Sequence, residues 1–240
     1  MQKLFVDFIP QGQFVLDEEK SRHIAKSLRM RVGDMLTLCS GDGRDFGCII
    51  DSIDSKNVTL SLCYEQANNC EPSVSVAIYQ GVPKGDKLED IIQKCTELGV
   101  TEITPVLTAR SVSRPQEKSA KKKQERYKKI ALEAAQQSGR GIVPQINSMT
   151  DLKKAAENDN AEVKILFYEG GGESLKNIIK DGVKSVSIYI GPEGGFESSE
   201  VELIKSYGGQ VATLGKRILR TQTAPVAALT SIMLLTNNLE

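Results

Sequence analysis

The chain reads as an α/β protein with a small β-rich module at its front. Two observations carry this. From Val74 onward short β-type runs alternate with segments of helical period, the pattern of a mostly parallel sheet with helices on both faces. Before that point the extended runs are separated by turn signals, with a single helix among them.

In the first module the extended runs are Leu4–Ile9, Phe14–Leu16, Met35–Cys39, Phe46–Ile53 and Val58–Tyr64. Gly41-Asp42-Gly43 is expected as a hairpin turn, because glycine and aspartate tolerate the positive φ that tight hairpins require. Asp17 is placed to cap a helix running to about Leu28, with Ile24 and Leu28 as its inner stripe and Arg22, Lys26 and Arg29 on another face. The polar segment from Gln66 to Pro72 reads as a linker, which gives domains at 1–70 and 74–240 joined through 66–73. In the second domain the strands are Val74–Gln80, Ile103–Leu107, Val163–Tyr168, Val186–Ile190 and Gln210–Leu214. Leu88, Ile91, Ile92, Cys95 and Leu98 form one helical stripe, and Gly99 stands where a left-handed cap closes a helix. Ala224 to Leu239 is apolar on nearly every side, so this helix is expected either in the core or in a subunit interface.

Composition removes several chemistries. His23 is the only histidine, which argues against Ser-His-Asp, Cys-His and histidine-metal sites and leaves it a structural role or an RNA contact. The five cysteines are odd in number and never form Cys-x-x-Cys; they read as buried, reduced thiols. Neither a leader nor a membrane span is evident, so a cytoplasmic location is expected, without a metal. Net charge is zero, yet Arg110 to Lys129 concentrates cations and could follow a phosphate backbone. The G-x-x-x-x-G-K-[ST] and G-x-G-x-x-G runs are missing, which disfavours nucleoside triphosphates and dinucleotides.

Two loops then stand out, both after predicted strands, where parallel sheets bind ligands. One is Ile190 to Phe196, with Gly191, Gly194 and Gly195; the other is Leu214 to Ala224, whose polar backbone is expected to be buried or ligand-filled. Glycine lets main-chain groups approach a flat ligand, although the same residues also serve a simple tight turn.

Over nearly its whole length the chain resembles the ribosomal RNA small subunit methyltransferase E family. The resemblance rests on an ordered set of motifs. These are His23 to Asp34, Pro83 to Glu89, Lys94 to Val100, Arg110-Ser111-Val112, Glu133 to Arg140, Gly191 to Phe196 and Leu214 to Ala224. It implies an N-terminal PUA-like β-barrel, a C-terminal SPOUT domain with a deep trefoil knot, and a homodimer. It also implies S-adenosylmethionine as cofactor and methylation of N3 of a uridine in 16S rRNA. Knots are too rare for pattern reading to supply one. Carried over, Gly191, Gly194, Gly195, Leu214, Gly215 and Ile218 would line the cofactor pocket, with Leu219, Thr223, Ala224 and Phe167. Two departures are visible: Lys3 stands where arginine is more usual, and Gln222 where the family has glutamate.

For chemistry, Arg220 is the candidate to stabilise negative charge on a deprotonated uracil, the alternative being a phosphate or carboxylate contact. Glu193 would orient substrate, accept a proton or brace the turn. RNA contacts are expected from Lys3, Arg22, Arg29 and Arg31 in the first module and from Lys84, Arg110, Arg114 and Arg140 in the second, with an assembled small subunit as the partner. The competing functions are a SPOUT enzyme acting on tRNA and a non-catalytic RNA-binding or ribosome-assembly protein.

Overall fold

The structure is a computed structural model and describes residues 2–54, 56–111 and 117–239. The chain forms two compact units, Met1–Glu71 with Ala135–Val143, and Pro72–Ala134 with Pro144–Glu240.

In the first unit β1 (Lys3–Phe5), β2 (Gln13–Val15), β3 (Met35–Cys39), β4 (Arg44–Ile53) and β5 (Val58–Ala67) make one sheet in the order β1-β3-β4-β5-β2. Only the β1–β3 pair is parallel. Alternation sends Leu36 and Leu38 of β3 inward, opposite Cys48 and Phe46 of β4, and all four are fully buried. The β3–β4 turn uses the expected glycines, Gly41 at φ 79 and Gly43 at φ 81. Asp17 caps α1 (Glu18–Arg22) by accepting from Lys20 N–H at 2.8 Å. The helix does not continue as α to Leu28; residues His23–Ser27 form a π turn with Leu28 as its C-cap, and Arg29 follows at φ 54.

A buried ionic belt ties Ala135–Val143 into this unit. Lys3 Nζ lies 2.7 Å from Asp45 and donates to the Gly139 carbonyl at 2.8 Å. Arg140 pairs with Glu71 at 2.6 Å, and the same carboxylate accepts from the Gly141 and Ile142 N–H groups. Cys39, Cys48 and Cys95 are buried as expected, and burial raises Cys48 and Cys95 to about 12, but Cys63 and Cys70 are exposed.

The second unit holds β6 (Ser75–Gly81), α2 (Lys87–Glu97), β7 (Glu102–Leu107), α3 (Glu117–Gln137), β8 (Gln145–Ile146) and β9 (Thr150–Asp151). There follow α4 (Leu152–Asn158), β10 (Val163–Phe167), α5 (Leu175–Ile178), β11 (Ser185–Ile190), α6 (Ser198–Ser206), β12 (Gln210–Ala212) and α7 (Thr223–Leu235). The last residues of α3 belong to the first unit. The sheet runs β12-β10-β11-β6-β7-β8, with β9 also on β7, and every pair is parallel. On one face Tyr79, Leu166 and Tyr189 pack with α4 and α6. α7 packs against α2, β6 and β11, so helices cover both faces as the alternation required. Gly99 closes α2 at φ 91 while Val100 N–H returns to the Cys95 carbonyl, a Schellman arrangement. α7 is largely a core helix: Ala228, Leu229, Ile232 and Met233 are buried and Leu234 is exposed. Among the described residues, no helix is long and apolar enough to cross a membrane.

Candidate functional site

β6, β10 and β11 lie side by side and run the same way, so the segments leaving their carboxyl ends converge. The closest approach is at Gly81, where a Cβ would sit 2.6 Å from Pro192 N; only glycine lets β6 end against the loop after β11. Next to it the Gln80 side chain is fully buried and its amide donates to Gly81 O (3.0 Å), Thr221 Oγ1 (3.2 Å) and Gly191 O (3.4 Å). Thr221 in turn donates its hydroxyl to Gly191 O at 3.0 Å. One amide and one hydroxyl therefore join β6 to both loops singled out in the sequence.

Between those loops lies a cavity of about 430 Å³, within the range of about 300–1,000 Å³ usual for cofactor sites. Its wall includes the expected Phe167, Gly191, Gly195, Leu214 and Gly215, and also Ile218, Leu219 and Ala224. Gly194 and Thr223 are not part of it. Gly194 faces the Arg110 side chain and gives its carbonyl to Arg110 Nη1 at 2.7 Å, whereas Thr223 opens α7 with its N–H on Arg220 O. Of the two expectations for the second loop, buried or ligand-filled, burial does not hold. Residues 215–218 are exposed, and Ile218 is 83% exposed. Gly215 adopts φ 101, and the amide N–H groups of residues 216–220 have no hydrogen-bond partner among the described residues. Unpaired amides and a glycine turn suit a ligand held by main-chain groups, so the residues present fit an adenosyl group.

Both candidate catalytic side chains, Arg220 and Glu193, are on the same wall, as are Gln222, Lys216 and Arg217. Glu193 is already engaged: Lys87 Nζ is 2.5 Å from Oε1, and Lys84 N–H donates to the carboxylate at 3.2 Å. Burial opposes its ionisation, but the Lys87 and Lys84 hydrogen bonds prevail and hold the carboxyl below its ordinary value. Such a group braces the β6–α2 connection and is a poor proton acceptor near neutrality.

Of the expected RNA contacts, Arg22, Arg29, Arg31, Lys84 and Arg110 are exposed; Arg22 pairs with Glu18 at 2.8 Å. Lys3 and Arg140 are not surface cations, since their side chains are 7% and 2% exposed and spent on Asp45 and Glu71. Arg114 lies outside the described residues. Sequence reasoning missed Gln80, Thr221, Lys87 and Glu169. Gln80 had left a signal, an amide closing the apolar run Val76–Ile78; for Lys87 and Glu169 nothing local distinguished them from solvated charges.

A family model described as an RNA methyltransferase domain matches residues 69–233, and one described as an RNA methyltransferase PUA domain matches residues 16–63. The ribosomal RNA small subunit methyltransferase E of Bacillus subtilis (strain 168) is 37% identical over 245 residues, covering 97% of this chain and 96% of that protein. The protein of the same name from Mesomycoplasma hyopneumoniae is 31% identical over 96% of this chain and 98% of its own. The crystal structure of a ribosomal RNA small subunit methyltransferase E from Neisseria gonorrhoeae bound to S-adenosyl methionine superposes with a TM-score of 0.91, at 28% identity and covering 98% of each chain. With its two glycine loops meeting over the ends of a parallel sheet, and with matches that span nearly the whole chain, this protein belongs to the ribosomal RNA small subunit methyltransferase E family.

Proposed function

We propose that this protein is an S-adenosylmethionine-dependent methyltransferase that modifies N3 of a uridine in 16S rRNA within the small ribosomal subunit. The observation that carries this is the cavity where the 190–196 and 213–222 loops converge, walled by glycines and by amides with no partner among the described residues. When bound, the cofactor supplies a methyl group on a sulfonium. Gly191, Gly195, Leu214 and Gly215 hold it through main-chain groups, and Phe167, Ile218 and Leu219 supply apolar contact. Arg220 stands at the rim to stabilise negative charge on the uracil carbonyl oxygens once the ring nitrogen has lost its proton. Glu193 keeps the Lys84–Lys87 segment beside the site.

Residues 1–70 serve as the PUA-like RNA-binding module and 74–240 as the SPOUT domain, with 66–73 between them. Arg22, Arg29 and Arg31 contact phosphates from the first, Lys84 and Arg110 from the second. The return from edge strand β12 through the 213–222 loop to α7, packed on β6 and β11, supports a trefoil knot. The homodimer belongs to the same proposal and rests on the family resemblance. A ribosomal substrate supports a cytoplasmic location.

The test is methyl transfer from labelled S-adenosylmethionine to small subunits lacking the modification, with naked 16S rRNA and tRNA alongside, followed by nucleoside analysis. 3-Methyluridine in the subunits alone is the expected result. Label in tRNA instead would transfer the proposal to a tRNA enzyme, and cofactor binding with no label anywhere would favour a non-catalytic assembly protein.

A further inference from the structure

We propose that Glu169 is the residue through which the cavity reads the positive charge of the methyl donor. The inference rests on the cofactor assignment above and adds a recognition element to it. The charged groups on the cavity wall fall into two sets. The cations are Lys216, Arg217 and Arg220, exposed on the 213–222 loop, and Lys87, and the acids are Glu169 and Glu193. Glu193 is neutralised by Lys87 and by Lys84 N–H. Among the described residues Glu169 has no hydrogen-bond or ion-pair partner, so of the two acids on that wall it is the one whose charge is uncompensated there.

Its position is set by the fold. Glu169 follows β10 by two residues, and its carboxylate reaches the loop after β11: a Cβ on Gly195 would lie 3.1 Å from both oxygens. Gly195 also has φ +66, so neither backbone conformation nor space favours a side chain there. Glu169 is an exposed residue, and its carboxylate lies beside Gly195 over the carboxyl ends of β10 and β11, where a parallel sheet places its ligand. An uncompensated carboxylate on a concave wall attracts a cation more strongly than one on open surface, because the walls exclude part of the screening solvent. S-adenosylmethionine carries a sulfonium and an ammonium; 5′-methylthioadenosine keeps the nucleoside and has neither.

Calorimetric titration of the full chain with S-adenosylmethionine, S-adenosylhomocysteine and 5′-methylthioadenosine, at low and high salt, tests this for wild type, Glu169→Gln and Glu169→Asp. Glu169→Gln should weaken S-adenosylmethionine about fivefold, leave 5′-methylthioadenosine within about twofold, and reduce the salt sensitivity of donor binding. Glu169→Asp should recover part of the affinity. A loss for S-adenosylhomocysteine as large as for the donor locates the contact at the ammonium, and a smaller one at the sulfonium; both agree with charge reading. Unchanged donor affinity in Glu169→Gln, or an equal loss for 5′-methylthioadenosine, overturns it. If wild type binds none of the three, the cofactor assignment fails as well, an outcome separate from failure of the Glu169 inference alone.

Discussion

At the scale of single residues, charge placement around the cavity makes the sharpest predictions. Arg220→Lys removes the planar fork but keeps the charge, and should lower methyl transfer about a hundredfold. Donor affinity should stay within about twofold, as single-turnover rates and calorimetry would show. Glu193 has a carboxyl held below its ordinary value by Lys87 and Lys84 against the opposing effect of burial. Because the folded value lies below the unfolded one, the contribution is complete at neutral pH and disappears as pH falls through the folded value. The stability gap between wild type and Glu193→Gln, measured by denaturant titration, should therefore close on acidification, and the shape of the pH–rate curve near neutrality should not change. Gln222 precedes α7 as its N-cap without a side-chain cap bond. Gln222→Glu places a carboxylate at that helix start and should raise stability by about 0.5 kcal/mol at low salt, read as a shift in the melting midpoint.

At the scale of elements, the site depends on a crossing. β6, the 190–196 loop and the 213–222 loop are held together by Gln80 and Thr221, both buried. Thr221→Val keeps the volume but removes both hydrogen bonds of the hydroxyl. It should cost about 1–3 kcal/mol and weaken donor binding at the same time, whereas a defect remote from the crossing would lower stability alone; paired melting and calorimetry separate the two. α2 shows how much one element owes to its own sequence, since its inner stripe and Gly99 cap follow from spacing and from the positive φ that glycine allows. The first helix shows the opposite. Asp17 fixes where α1 begins, but the π turn at His23–Ser27 and the positive φ of Arg29 after it follow no local rule.

At the scale of the whole molecule, cations that look alike in the sequence divide into structural and surface roles. Lys3→Ala leaves Asp45 buried without its partner and should cost about 3–5 kcal/mol, with little change in the salt slope of RNA binding. Arg29 is exposed and has no partner among the described residues, so Arg29→Ala should instead reduce that slope by about 1 and leave the denaturation midpoint unchanged. Opposite outcomes would exchange the two assignments. By itself the sequence determined the α/β class, the β-rich front, the strand ends at which the cavity lies and the glycines of its loops, because periodicity and positive φ are local properties of a chain. Its ordered motifs also marked the family. Only the tertiary structure decided that Lys3 and Arg140 are internal, that Gly194 turns to Arg110, that Glu193 is engaged while Glu169 is not, and that Gln80 joins both loops. Each of those facts pairs residues distant in sequence, and burial and partnership are properties of the packed chain that no local pattern encodes.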